Sequence, residues 1–239
     1  DPRPEDFISR IEVIIPCYNH GSYLRECFQS ILDQTWKKMP VTVTFMDDNS
    51  TDDTPAIIGE IVRANSQNKD IIIRHIKNTS NFRQSKSINK AISTSNNQLF
   101  IILNDDDVLT KDALDKIVRT LTANPDLYLL GASSIWFEEI PPPHKVMPTG
   151  KLKLTKYGPS DTVGITSLND INMTHSSQAF FKCAWEAVGG YRDKLSRLTG
   201  DINEDRDFQL RVAALMPIGV YKDYPLAFWR TDTSHGKEF

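Results

Sequence analysis

Between Ile11 and Leu121 of this 239-residue chain, short apolar runs alternate with stretches whose apolar residues recur at helical spacing. Ile11 to Pro16 reads as a strand. Tyr23 to Thr35 reads as a helix with Leu24, Cys27, Phe28, Ile31 and Leu32 on one side, and Val41 to Met46 as a second strand. The alternation continues through a helix at Thr54 to Ala64, a strand at Ile71 to Ile76, a helix at Ser85 to Ser93, a strand at Leu99 to Leu103 and a helix at Ala113 to Leu121. Four βα units in succession predict a mostly parallel sheet with right-handed crossovers, covered by helices on both faces. From Val163 onward the rhythm is lost. Between Ile140 and Pro159, the run Pro141-Pro142-Pro143 with Pro148, Gly150 and Gly158 predicts a long irregular loop. Its Lys145, Lys151, Lys153 and Lys156 read first as solvated, with phosphates or an acidic acceptor as the alternative.

Charge and composition then exclude whole classes of partner. With 28 basic and 31 acidic residues the net charge is -3, so no global field draws the chain to nucleic acid or to an anionic membrane. No apolar stretch approaches the roughly 20 residues that span a bilayer, and Asp1-Pro2-Arg3-Pro4 has no signal-peptide pattern. Cys17, Cys27 and Cys183 are odd in number and widely spaced, which fits buried thiols better than a disulfide framework or a zinc site. These features predict a soluble, cytoplasmic chain, with peripheral attachment at the inner face of the membrane left open.

The candidate chemistry lies where the predicted strands end. Asn104-Asp105-Asp106-Asp107 follows the apolar run Leu99 to Leu103, and three adjacent carboxylates repel unless a cation sits among them. A divalent metal and a solvated helix-capping turn are equally good readings of that run alone. Pro16-Cys17-Tyr18-Asn19 hands an aromatic ring and an amide to the sheet edge, where the ring can stack on a base or pack over the next helix. In Asp47-Asp48-Asn49-Ser50-Thr51-Asp52-Asp53-Thr54, Asp52 or Asp53 caps a helix. Asp47 and Asp48 are not needed for that, and a carboxylate there can accept the imide N–H of uracil. Asn203-Glu204-Asp205-Arg206-Asp207 sets acids at another helix start, a placement the helix dipole favours by itself, with Arg206 and Arg211 as partners. His235 and His175 are candidate ligands or simply solvated.

Taken in order, Pro16 to Asn19, Asp47 to Thr54, Asn104 to Asp107, and Glu204-Asp205 with Asp207 and Arg211 resemble the signatures of family 2 glycosyltransferases of the GT-A fold. Asn81 to Asn89 is similar to the segment before that family's acidic strand, and Trp185 to Tyr191 to its acceptor-side Val-Gly-Gly-aromatic element. The resemblance implies an α/β, Rossmann-like, mostly parallel sheet with a smaller mixed C-terminal acceptor region. Residues 1–110 would form the nucleotide-sugar-binding half of one continuous domain and 111–239 the acceptor-binding half. It implies transfer of a sugar, with inversion, from a nucleotide-sugar co-substrate, expected to be a UDP-sugar, to a carbohydrate or other hydroxyl acceptor, as in polysaccharide biosynthesis.

Carried over residue by residue, Tyr18 would stack on the base, flanked by Pro16 and Asn19, and Asp48 would meet the base edge. Asp105 would meet the ribose. Asp106 would take a manganese or magnesium ion bridging the diphosphate, with Asp107 supporting the turn and His235 as a further ligand. Asp205 would deprotonate the acceptor, with Glu204 beside it. This chain departs from the family by Asn104 where an acid is usual, which makes Asp105 with Asp107 a competing metal pair, and by Arg83 where a glycine is common. The Arg83 side chain can instead reach a phosphate. Magnesium or manganese held by few carboxylates stabilises a diphosphate leaving group, while a carboxylate on the opposite face of the sugar removes the acceptor proton. The rival readings are a haloacid-dehalogenase-like phosphatase, whose Asp-x-Asp normally ends the first strand, a sugar nucleotidyltransferase, which needs a glycine-rich phosphate loop, and an inactive relative that binds nucleotide or glycan.

Overall fold

The computed structural model describes residues 8, 10–36, 38–133, 135–137, 154–157, 173–193 and 204–231. Four strands, β1 (Ile11–Cys17), β2 (Val41–Asp47), β3 (Ile71–Lys77) and β4 (Leu99–Ile102), lie in the order β3-β2-β1-β4, all parallel. The connecting helices are α1 (Gly21–Leu32), α2 (Thr54–Ala64) and α3 (Arg83–Ser93). β1, β2 and β4 are buried along their whole length, so β4 reads as an unbroken apolar run and β1 and β2 as mostly apolar ones interrupted by Glu12, Thr42, Thr44 and Asp47. Next come β5 (Val108–Leu109), α4 (Ala113–Ala123), β6 (Leu129–Ala132), β7 (Ile135–Phe137), β8 (Leu154–Tyr157), β9 (Ala179–Phe181), α5 (Lys182–Ala187), α6 (Glu204–Leu215), β10 (Ile218–Tyr221) and β11 (Ala227–Arg230).

The second half extends the first half's sheet. β9 runs antiparallel between β4 and β6, then β10 pairs parallel to β6 and β8 closes that edge antiparallel. The result is one eight-stranded sheet, β3-β2-β1-β4-β9-β6-β10-β8, beside a three-stranded sheet, β5-β11-β7. Each face carries its own core. Leu24, Phe28 and Ile31 of α1, Ile58 of α2 and Ile117 of α4 fill one side. Ile88 and Ile92 of α3, Ala184 of α5, and Phe208 and Val212 of α6 fill the other, where the Tyr191 ring stacks on Phe208 with centroids 4.3 Å apart.

Local departures from the periodicity have local causes. α1 begins at Gly21, not Tyr23, because the Gly21 N–H donates to Asp52 Oδ2 at 3.1 Å and ties the helix start to the loop before α2. A Cβ at Gly21 would stand 2.2 Å from Asp53 Oδ1 and 3.0 Å from the Thr54 backbone nitrogen, so the close approach of these segments favours glycine. The expected irregular loop is corrected at 154–157, which form β8 paired to β10, with Lys156 Nζ 3.0 Å from Asp126. The remainder of that loop lies outside the described residues. Among the described residues no helix is long and apolar enough to cross a membrane.

Candidate active site

Parallel strands deliver their C-terminal ends to one edge, and the loops beyond β1, β2 and β4 meet there. Tyr18 is 37% exposed just past β1, while Pro16 is buried inside that strand opposite Met46. Asn19 takes a left-handed backbone conformation (φ 55°) and braces the neighbouring loop: its N–H donates to Ser50 Oγ at 3.1 Å and its Oδ1 accepts from the Thr51 N–H at 2.8 Å. Asp47 accepts the Ser50 N–H at 2.7 Å and shapes the turn. Asp52, not Asp53, satisfies the start of α2, accepting the Thr54 N–H at 3.0 Å.

Asp48 organises the segment that leads into α3. Its Oδ1 accepts from Asn78 Nδ2 at 2.8 Å, the Phe82 N–H at 2.9 Å and Ser87 Oγ at 3.0 Å, and its Oδ2 accepts the Arg83 N–H at 2.7 Å. Oδ2 is therefore the oxygen with room for another donor. Arg83 is exposed and left-handed (φ 67°), a conformation that favours glycine and that Asp48 enforces by gripping the Phe82 and Arg83 amides.

The three consecutive aspartates have different surroundings. Asp105 turns back to α1, accepting from the Tyr18 N–H at 3.3 Å and lying 2.9 Å from His20 Nδ1. Burial pushes the Asp105 carboxyl above its ordinary value, against the His20 hydrogen bond, and that same bond raises the His20 imidazole. Both shifts favour a pair that holds on to its proton. Asp107 turns toward the C-terminal strands: its Oδ1 accepts the Arg230 N–H at 2.9 Å and its Oδ2 meets the Ser176 hydroxyl and Asn104 Nδ2. Burial, then the neighbouring Asp106 charge, push Asp107 up to about 7. The Asp106 carbonyl accepts from Arg230 Nε at 2.9 Å, but no described residue donates a hydrogen bond to its carboxylate. Of the three, that carboxylate is the one left for a ligand, and its hard oxygens suit a divalent cation.

A cavity of about 410 Å³ joins this turn to the other half of the chain. Asn104 and Asp107 line it together with Glu204 and Asp205 from the first turn of α6, and Gln84, His175, Tyr191 and Trp229 complete much of the lining. Gln84 Nε2 donates to Asn104 Oδ1 at 2.9 Å. Asp207 is bound to Arg211, whose guanidinium also donates to the Val188 and Gly190 carbonyls, so this pair anchors α6 to the Val188-Gly189-Gly190 turn. Burial depresses the His175 imidazole, with Asp205 and Glu204 acting in the opposite sense.

A profile of the family described as "Glycosyl transferase family 2" matches residues 12–181. The chain belongs to that family. Glycosyltransferase GlyG of Streptococcus pneumoniae is 32% identical over 110 residues, 46% of this chain and 34% of the relative. Abequosyltransferase RfbV of Salmonella typhimurium is 32% identical over 119 residues, 50% and 34% respectively. The matched segment thus spans about a third of each relative. Among solved structures, Staphylococcus aureus TarS 1–349 in complex with UDP-GlcNAc aligns with a TM-score of 0.69 over 96% of this chain and 61% of that one, at 15% identity. Mannosyltransferase PcManGT from Pyrobaculum calidifontis, in complex with GDP-Man and Mn²⁺, gives 0.60 over 93% and 56%, at 18% identity. At such identities the likeness is one of fold, and the fold is GT-A.

Within this family 2 domain the structure places Tyr18, Asn19, Asp48 and the Asp105 to Asp107 turn in the loops beyond the C-terminal ends of β1, β2 and β4, Arg83 at the start of α3 beyond β3, and Glu204 with Asp205 at the shared cavity. His235 and Asn203 lie outside the described residues. Sequence reasoning did not single out His20, Ser176, Gln84 or Arg230. His20 directly follows Tyr18-Asn19, and Arg230 ends an apolar run, so both stood at element boundaries without a spacing that marked them.

Proposed function

We propose that this chain transfers a sugar from a nucleoside-diphosphate donor, a UDP-sugar first, to an acceptor hydroxyl. The observation that carries this reading is the shared cavity, which sets Asn104 and Asp107 of the acidic turn and the Asp205 carboxylate around one space. Tyr18 offers an exposed ring for the base, and Asp48 Oδ2 an acceptor for an imide N–H. Arg83 supplies an exposed guanidinium for phosphate at a position where an L-residue is strained. The neighbours solved with UDP-GlcNAc and with GDP-Man and Mn²⁺ support a nucleotide-sugar and a cation.

Among the described residues no three His, Cys, Asp or Glu side chains close around a cation position. A manganese or magnesium ion at Asp106 would therefore complete its coordination with diphosphate oxygens and water, and would offset the charge of the departing diphosphate. This chain's own work is to hold the base and ribose, orient Asp106, and take the acceptor proton at Asp205. Glu204 stands beside that base.

Two substitutions test the division of labour. Asp106→Ala should abolish the manganese dependence of uridine diphosphate binding measured by calorimetry. Asp205→Asn keeps the shape but cannot accept the proton, so sugar transfer should fall about 10²- to 10⁴-fold while donor affinity stays within twofold. Normal transfer by Asp205→Asn, or unchanged cation dependence in Asp106→Ala, would overturn the assignment.

A further inference from the structure

Arg230 is the last residue of β11, beyond the residues matched by the family profile, and is only 5% exposed. Its backbone N–H donates to Asp107 Oδ1 at 2.9 Å, and its side-chain Nε donates to the Asp106 carbonyl at 2.9 Å. Its terminal nitrogen meets the Glu26 carboxylate on α1, and its guanidinium carbon lies over the Tyr23 ring, also on α1, 4.8 Å from the ring centre. One side chain therefore spans β11, the acidic turn and α1. It grips the backbone of Asp106, the residue whose carboxylate accepts no hydrogen bond from a described residue.

Charge alone does not account for this arrangement. A lysine ammonium is a point charge, whereas the planar fork of arginine can serve the Asp106 carbonyl and Glu26 along different edges while stacking on an aromatic ring. A carbonyl held on one side and an Asp107 carboxylate held on the other leave the peptide between them little rotational freedom. That peptide fixes the backbone torsion on the C-terminal side of the Asp106 Cα, from which the side chain projects.

We propose that Arg230 is a positioning residue for the cation: by clamping the Asp106 carbonyl against α1, it aims the Asp106 carboxylate, so that divalent-cation affinity depends on the C-terminal strand as well as on the acidic turn. The inference rests on the reading that Asp106 presents the cation. Partners that orient a metal-binding side chain are worth about 10- to 100-fold in metal affinity.

The test titrates uridine diphosphate into the 239-residue chain by calorimetry at a series of manganese concentrations, giving the concentration at which binding is half restored. Uridine, which lacks phosphates, is titrated alongside as a cation-independent probe of the base site. Arg230→Lys keeps the charge but cannot span both partners, so the half-restoring manganese concentration should rise at least tenfold while uridine affinity stays within twofold. The double variant Glu26→Met with Arg230→Met removes both ions together, leaves neither unpaired, and should show the same rise; it supplies the comparison if the lysine variant does not fold. A manganese requirement within twofold of the parent in either folded variant, or a parallel loss of uridine binding, would overturn the proposal. If the parent chain itself needs no cation, the reading of Asp106 fails instead, which the parent titration shows before any variant is compared.

Discussion

Removing the Asp107 carboxylate takes an acceptor from the Arg230 N–H, the Ser176 hydroxyl and the Asn104 amide at once. Buried donors left without partners cost about 1–3 kcal/mol, so Asp107→Ala should lower urea stability by that amount, with or without ligand. The same substitution at Asp106 takes no hydrogen bond from a described residue, and its ligand-free stability should stay within about 0.5 kcal/mol of the parent. Equal destabilisation by both would mean that the two side chains share the turn's structural work. This distinction was not legible in the sequence, because three identical acids in a row cannot be ranked by spacing. Their partners at positions 20, 176 and 230 come from three distant segments and decide the matter. His175 offers a second residue-scale test. Burial holds its folded pKa below the ordinary imidazole value, so the unfolded chain binds a proton that the folded chain refuses. Stability attributable to His175 is therefore complete above pH of about 6.5 and is lost as pH falls below it toward the depressed folded value. His20, raised by Asp105, acts with the opposite sign, its contribution being lost as pH rises through its folded value. Urea midpoints measured from pH 5 to 8 should fall less on the acid side in His175→Asn than in the parent; an identical acid limb would place a charged His175 in the folded state.

At the scale of elements, hydrophobic periodicity located the expected helices and strands of the first half to within three residues, since doubly covered strands and amphipathic helices impose their periods directly. The start of α3 shows what periodicity misses. The pattern placed it at Ser85, but Asp48, from the loop after β2, reaches across to hold the Phe82 and Arg83 amides and begins the helix at Arg83. Glu12 is a similar case: a charged residue inside β1 is fully buried because Thr44, Arg74, Asn97 and Ser95 from four separate positions satisfy it. No local pattern announces such a network. At Arg83 the tertiary hold imposes a left-handed conformation on an L-residue, costing about 1–2 kcal/mol. Arg83→Gly should relieve it and, after the entropy that glycine adds to the unfolded chain, raise stability by about 0.5–1 kcal/mol. The same variant should weaken uridine diphosphate binding at saturating manganese, because it removes the exposed guanidinium. Gain in one measurement and loss in the other is the expected signature; unchanged binding would show that Arg83 meets no phosphate.

Across the whole molecule, the parallel half was legible because each βα unit is local, whereas the second half was not, because its strands enter the sheet out of order. β9 inserts between β4 and β6 although more than forty residues of chain separate it from β6, and β10 returns to β6 only after α6. That late return has a chemical consequence. It carries Glu204 and Asp205 on α6 into the cavity that Asn104 and Asp107 also line, so the proposed donor-holding groups and the proposed base come from opposite halves of the chain. With the diphosphate held at the acidic turn and the acceptor hydroxyl activated at Asp205, as proposed, the attacking oxygen would approach the anomeric carbon from the face away from the leaving group. Under that proposal the sugar centre would pass through an oxocarbenium-like state and emerge inverted. An α-linked donor should therefore give a β-linked product, visible in the anomeric coupling constant of early proton NMR spectra taken with whichever donor is active. Retention would require two displacements, a carboxylate opposite the diphosphate attacking the anomeric carbon first and the acceptor then arriving from the diphosphate's side, and that outcome would remove Asp205 from the proposed role of base even if uridine diphosphate and manganese bound as expected.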